Sequence, residues 1–365
     1  MRVNRYNFAS QFGDDLHRIT EEISRMLVTG HYILTEEVSH FETEFANYLG
    51  ARYVQGVNTG TDALTIALLA LGTQPGDEVI TQANTFNATV TAIIRAGAKP
   101  VLVDAEEGSF LIDQPQVESA ITARTRVILP VHLYGKPTPL DGLLALAQKR
   151  DLYLVEDAAQ AHGARIRDRR VGTFGVVGCF SFHPSKNLAA AGDAGAIVTN
   201  HDSVDHQIRR YRELGQHGQN NHVLVGLNSK LDSIQALVLS RKLPHLDCWN
   251  AQRRTVARWY RERLDNLPLY FQSPDDEHVY HLFQVGAEKR NQLLEFLLSH
   301  GIDAVVRYPT PIHLQPAFAN CGWRKGQFPV AEKLANELLC LPIRPDISLS
   351  EVDFVADKIR TFYEG

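Results

Sequence analysis

ARYVQGVNTGTDALTIALLALG, residues 51–72, carries the pattern that organises the first half of the chain. RYVQGV (52–57) is a short β-prone run, NTG (58–60) a turn, and TDALTIALLAL (61–71) a helical stretch closed by Gly72. A strand, a tight glycine turn and a helix in that order make one βα unit. The same unit recurs outward from it. EVIT (78–81), PVLV (100–103), RVIL (126–129) and LYLV (152–155) read as further strands, separated by helical periodicity over 88–96, 116–122 and 140–149. Each separation is long enough for a crossover, so the strands should pair in parallel.

From about residue 50 to 200 the chain therefore reads as an α/β domain with a mostly parallel sheet. Beyond 200, helical stretches at 233–243 and 251–264 dominate, and a mixed segment runs from 270 to the end. The pattern predicts a large domain over 1–247, with an N-terminal helical segment, and a smaller C-terminal α+β domain over 248–365. A length of 365 residues with 44% hydrophobic composition suits two such domains. The proline-rich YPTPIHLQP (308–316) reads as an ordered loop, and no repeat or flexible linker is evident.

Bulk properties narrow the partners. Net charge is −5 and the 37 basic residues are dispersed, which favours a small-molecule ligand over nucleic acid. Cys179, Cys248, Cys321 and Cys340 form no CxxC pair, which argues against a zinc site and a disulfide framework and suits a cytoplasmic protein. No apolar run approaches the roughly 18 residues a membrane span needs, and MRVNRYNFASQFGDD at the start has no apolar leader core.

Three fragments can carry chemistry. LYLVEDAAQAH (152–162) places Asp157 at the carboxyl end of a strand, where open α/β sheets bind ligands; capping the next helix is an equally good account of it alone. VVGCFSF (176–182), another buried strand, runs directly into HPSKN (183–187) and so delivers Lys186 to the same edge. Desolvation there would lower its pKa and make the amine a nucleophile toward aldehydes, whereas a lone lysine would more often be a surface turn residue. GVNTGTD (56–62) opens a helix whose free N–H groups seat a phosphate, to which Ser181 could add a hydroxyl; an ordinary cap by Thr61 or Asp62 is the plainer account. It matches neither GxGxxG nor GxxxxGK[ST], which weakens nicotinamide oxidoreductase and nucleoside-triphosphate readings. Phe86, in QANTFN (82–87), offers a ring platform, with core packing as the alternative. Phosphate seat, aldehyde-capturing lysine and acid for a pyridine nitrogen are together what pyridoxal-phosphate (PLP) chemistry needs.

NTGTDAL (58–64), GDEVITQANTF (76–86), VEDAAQAHGA (155–164), SFHPSKNL (181–188), LNSKLDSIQA (227–236) and YPTPIHLQPAF (308–318) resemble the DegT/DnrJ/EryC1/StrS family of sugar aminotransferases, from end to end. The resemblance implies the type I, aspartate-aminotransferase-like fold, PLP as cofactor, and a homodimer with shared active sites. It makes Lys186 the Schiff-base lysine, Asp157 the partner of the pyridine nitrogen, Gln160 the neighbour of the phenolic oxygen and Phe86 the stacking aromatic. Gly60, Thr61 and Ser181 become phosphate contacts, Asn228 reaches the phosphate from the neighbouring subunit, and His183, Tyr308 and His313 stand toward the substrate. Asp193-Ala194-Gly195 departs from the family pattern, where a second glycine is common, and Ala189–Ala191 falls where members vary. Members with histidine in place of the lysine act as dehydratases, so Lys186 points to transamination. HLYGKPTPLD (132–141) and KNLAAAGDAGAIVT (186–199) resemble members that aminate C3 of the sugar. The implied reaction moves an amino group from an amino acid, by family habit L-glutamate, to a nucleotide-linked 3-keto, 6-deoxy sugar. A 4-keto substrate and a catalytically silent regulator are the alternatives.

Overall fold

The computed structural model describes residues 1–364. Its centre is a seven-stranded sheet of β1 (Tyr53–Val57), β2 (Glu78–Gln82), β3 (Lys99–Val103), β4 (Thr125–Ile128), β5 (Tyr153–Asp157), β8 (Val177–Ser181) and β9 (Gly195–Thr199). A two-residue hairpin, β6 (Arg165–Ile166) and β7 (Arg169–Arg170), stands apart between β5 and β8. The order across the sheet is β1-β9-β8-β5-β4-β2-β3. β9 runs antiparallel to both its neighbours, and the remaining pairs are parallel. The antiparallel turn follows from the connection: residues 182–194 form a helix-free loop that folds β9 straight back along β8, whereas parallel pairing needs a crossover.

The crossovers are α3 (Gly60–Ala70), α4 (Asn87–Arg95), α5 (Gln114–Ala120) and α6 (Asp141–Arg150), preceded by α1 (Leu16–Thr29) and α2 (Glu36–Leu49) and followed by α7 (Asp202–Arg212) and α8 (Ser233–Lys242). α3 is apolar on nearly every side and is buried from Ala63 to Leu68, as a helix enclosed by the sheet and its neighbours must be. On the opposite face, Phe41 and Phe45, four residues apart on α2, meet Phe180 and Phe182 of the β8 segment edge-on. Each such fully buried side chain contributes roughly 1.5–3 kcal/mol of transfer free energy.

The C-terminal part comprises α9 (Leu246–Leu264), β10 (Tyr270–Phe271), β11 (Phe283–Gly286), α10 (Arg290–Ser299), α11 (Pro329–Glu337), β12 (Leu338–Leu341) and α12 (Leu349–Glu364), the strands forming an antiparallel sheet β10-β11-β12. It has its own apolar cluster, with Tyr260, Phe283, Leu293, Leu339, Val352 and Ile359. Val3 belongs to that cluster and bridges Ile302 in parallel, so the start of the chain is anchored on its C-terminal part. The proline-rich loop is ordered by two short 3-10 turns, Ile312–Leu314 and Pro316–Cys321. No described helix is long and apolar enough to cross a membrane.

Candidate active site

Several segments distant in the chain converge at the carboxyl ends of β5 and β8. The cavity there, about 320 Å³, is lined by Gly60 and Thr61, Phe86 and Thr89, Asp157 and Gln160, Ser181, His183 and Lys186, and Arg307 and Tyr308. A wider open depression between α1, α2 and α8, about 630 Å³, lies apart from all of these.

Successive residues of a strand face opposite ways, and the adjacent acids ending β5 use this to separate two jobs. Glu156 turns away from the cavity and is fully buried. Its carboxylate accepts from the backbone N–H groups of Gly172 (2.6 Å), Phe174 (2.6 Å) and Gly175 (2.8 Å). His132 completes the set at 3.0 Å; its Nδ1 accepts the Thr138 N–H, so Nε2 carries the proton given to Glu156. Asp157 turns into the cavity, where its carboxylate accepts from the Thr89 hydroxyl (2.9 Å) and the Ala159 N–H (3.2 Å). Burial raises its pKa, while those two donors and the positive charge of Lys186 pull the other way. A buried carboxylate turned into the cavity is suited to a cationic ring nitrogen.

Lys186 leaves β8 four residues after Phe182, in a loop closed by its own N–H to the His183 carbonyl (2.8 Å). Asn187 anchors the next step, donating to Asn250 Oδ1 (2.9 Å) and the Val279 carbonyl (2.8 Å). Burial lowers the Lys186 pKa to about 8; Asp157 opposes the shift and Arg307 adds to it. A useful fraction of the amine is therefore unprotonated near neutral pH.

The candidate phosphate seat is the start of α3. Thr59, not Thr61 or Asp62, is its N-cap, the hydroxyl accepting from the Asp62 N–H at 3.0 Å. Asp62 itself accepts from Ser229 Oγ at 2.8 Å. The first-turn N–H groups behind the cap thus face the cavity beside Ser181. Close approach makes Gly60 obligatory: a Cβ there would stand 2.6 Å from the Cβ of Ser181.

On the opposite wall, Gln160 accepts the Tyr134 N–H (2.7 Å) and donates to the Tyr308 hydroxyl (2.9 Å). Burial pushes the Tyr308 phenol up to about 12, so it stays protonated. Its ring stacks on Tyr134 at 5.9 Å and leans toward Phe86 at the same separation. Phe86 is 51% exposed into this space, not packed in the core.

Two expected residues are not brought to the cavity. His313 is buried, its Nε2 hydrogen-bonded to the Glu332 carboxylate (2.9 Å) and its ring edge-on to Phe328, and it is not among the lining residues. Asn228 is exposed on the 213–228 loop, where it accepts from Lys230 Nζ at 2.6 Å, and it is not among this chain's lining residues. Conversely, Thr89 and Arg307 line the cavity without having been anticipated. Thr89 could have been found by asking which α4 residue follows Phe86 by about one turn.

The cavity fits pyridoxal phosphate on its own chemistry. It combines an unprotonated-prone lysine, a carboxylate held by two donors, a glycine cradle that a Cβ would fill, and free N–H groups at a helix start.

The DegT/DnrJ/EryC1/StrS aminotransferase family model matches residues 14–360. The chain is 44% identical over 345 residues to the dTDP-3-amino-3,4,6-trideoxy-alpha-D-glucose transaminase of Streptomyces venezuelae, covering 94% of this chain and 91% of that one. It is 42% identical over 358 residues to a pleiotropic regulatory protein of Geobacillus stearothermophilus, covering 97% and 95%. The crystal structure of S. venezuelae DesV in complex with a ketimine intermediate superposes with a TM-score of 0.97 at 41% identity, over 100% of this chain and 99% of that one. Solved relatives are also known in PLP and pyridoxamine-phosphate forms.

Proposed function

Because the chain belongs to the DegT/DnrJ/EryC1/StrS aminotransferase family, and is a PLP-dependent aminotransferase of the type I fold, we propose that it aminates C3 of a nucleotide-linked 6-deoxy keto-sugar. L-Glutamate is the proposed donor. The observation that carries the chemistry is the single cavity shared by Lys186, Asp157, Gln160 and the α3 N-terminus. The sugar position rests on the 3-amino product named for the S. venezuelae relative.

When bound, PLP supplies an aldehyde that captures amines and a ring that accepts electrons from the adjacent carbon. Lys186 Nζ would hold the aldehyde carbon of the bound cofactor; freed by the donor's amine, it would take the donor's α-proton and deliver it to the cofactor carbon on the far side of that nitrogen, as a lysine with its pKa lowered to about 8 can. Asp157 keeps the ring nitrogen protonated, and Thr89 fixes the carboxylate that does so. Gln160, tied to Tyr308 and the Tyr134 backbone, positions the phenolic oxygen side. Gly60, Thr61 and Ser181 receive the phosphate, and Phe86 covers the ring. The keto-sugar then receives the amine by the same residues acting in reverse, a two-stroke cycle. His183 and Tyr308 line the substrate end.

Two further parts belong to this proposal. The chain works as a homodimer in the cytoplasm, Asn228 reaching the partner's phosphate site; the exposed Val28 and Val225, 88% and 93% accessible, favour a covered surface. The chain divides into domains at 247/248, favoured by the separate apolar cluster of the C-terminal part. The regulator reading is favoured by the Geobacillus relative's name, but a silent protein has no need of Lys186, Asp157 and Gln160 around one cavity.

An absorbance spectrum of the purified protein tests the core of this. A band near roughly 410–430 nm should move toward ~330 nm on adding L-glutamate and be absent in Lys186→Ala. Product NMR then assigns C3 or C4. Failure to take up PLP would favour the regulator.

A further inference from the structure

Arg307 is the one cation of the cavity besides Lys186, and nothing in the protein neutralises it: among the described residues no side-chain hydrogen bond or ion pair engages its guanidinium. Three arginines that line other cavities have acidic partners, while Arg25 has none among the described residues. Arg344 pairs with Asp346 and Glu351, Arg5 with Asp303, and Arg241 with Glu22. The cavity's carboxylates do not serve: Asp157 is held by Thr89 and Ala159, and Asp193 sits exposed at the rim. A partly buried guanidinium whose donors open into the cavity is available to pair with a ligand's anion.

Position narrows which anion. Arg307 precedes Tyr308, whose hydroxyl is fixed by Gln160 and whose ring is stacked on Tyr134, so the backbone that carries the guanidinium is held against the cavity wall. Its charge is felt at Lys186, His183 and Tyr308. The donor's amine must arrive where Lys186 Nζ now stands, and its α-carboxylate is bonded to the same carbon that bears that amine. A nucleotide sugar's phosphate, by contrast, is carried on C1, two ring bonds from the C3 being aminated. A cation near the lysine amine therefore suits a carboxylate on the α-carbon.

We propose that Arg307 is the donor's carboxylate anchor, pairing with the α-carboxylate of the incoming amino acid through its planar fork. This rests on the aminotransferase function proposed above. The pairing selects α-amino acids over simple amines and orients the α-hydrogen toward Lys186. In the second half-reaction the same donors are free to meet sugar hydroxyls, so the residue need not move aside.

The test uses the PLP-loaded full-length protein and reads binding separately from turnover. A donor analogue with methyl in place of the α-hydrogen, α-methyl-L-glutamate, can enter the site but has no proton to give; its spectral titration yields a dissociation constant. In Arg307→Gln that constant should rise by about ten- to a hundredfold, with Arg307→Lys recovering part of the loss. KM should rise by like factors for L-glutamate and L-alanine, whose one shared anionic group is the α-carboxylate, with kcat changed far less. A loss seen for glutamate but not alanine would assign the side-chain carboxylate instead and overturn the proposal, as would a loss confined to the keto-sugar. Should the wild-type protein load PLP yet respond to no amino acid, the proposed function itself fails, and this inference with it. An unaltered PLP band in both variants shows that neither loss reflects misfolding.

Discussion

At the residue scale the adjacent acids Glu156 and Asp157 separate architecture from chemistry. Both end the same strand and both are buried, yet one is saturated by three backbone N–H groups and His132 while the other faces the cavity with two donors. Glu156→Gln puts an amide N–H where an acceptor is needed, leaving a buried donor opposed, and should lower unfolding free energy by about 1–3 kcal/mol with kcat nearly unchanged. Asp157→Asn should leave the urea midpoint close to wild type and reduce kcat by more than about a hundredfold. Finding those two effects exchanged would show the roles to be wrongly assigned. Asp157 and Lys186 were legible in the sequence because each follows an apolar strand, and strand ends in an open α/β sheet mark the ligand edge. Glu156 was not, since its partners on 172–175 come to it only through the fold. Arg307 was equally silent: its meaning lies in the partner it lacks.

At the element scale, the parallel strands and their crossover helices agree with the sequence pattern to within a residue or two at most ends, as expected where apolar periodicity is strong. β9 was not legible. GAIVT (195–199) is short, wholly buried and preceded by no helical crossover, so its pairing with β1 and β8 is what makes it a strand. That pairing brings Gly195 against Thr59, a Cβ there standing 2.5 Å from the Thr59 carbonyl carbon, and so presses β9 onto the loop that caps α3. Gly60 closes the same corner against Ser181. Gly60→Ala must force α3 and β8 apart, lowering stability by about 1–3 kcal/mol and weakening PLP affinity at least about tenfold. Gly108→Ala, where nothing lies within 4 Å of the added carbon, is the control. Equal PLP affinity in the two variants, measured by fluorescence titration, would rule out the corner as the phosphate seat.

At the scale of the whole molecule, the cavity is built from one chain except for the expected contribution of Asn228, which stands exposed on a loop that also displays Leu214, Val223 and Val225 to solvent at 46%, 52% and 93%. A loop held at its base, through Leu227 N–H to the Tyr211 carbonyl and Ser229 to Asp62, and displaying those three apolar side chains, suits the partner contact proposed above. The family resemblance named Asn228; nothing in its own sequence surroundings would have, because LNSKLD reads locally as a turn. Shared sites have a consequence that separate sites do not. Lys186→Ala and Asn228→Ala each spoil both sites of their own dimer, but a mixed dimer regains one site that has its lysine from one subunit and its asparagine from the other. Unfolding the two variants together, refolding them as a mixture with PLP and assaying glutamate-dependent amination should therefore give activity well above the sum of the parents refolded separately. Activity equal to that sum at every mixing ratio, with dimers present by light scattering, would mean that each chain completes its own site and that Asn228 serves only its own loop.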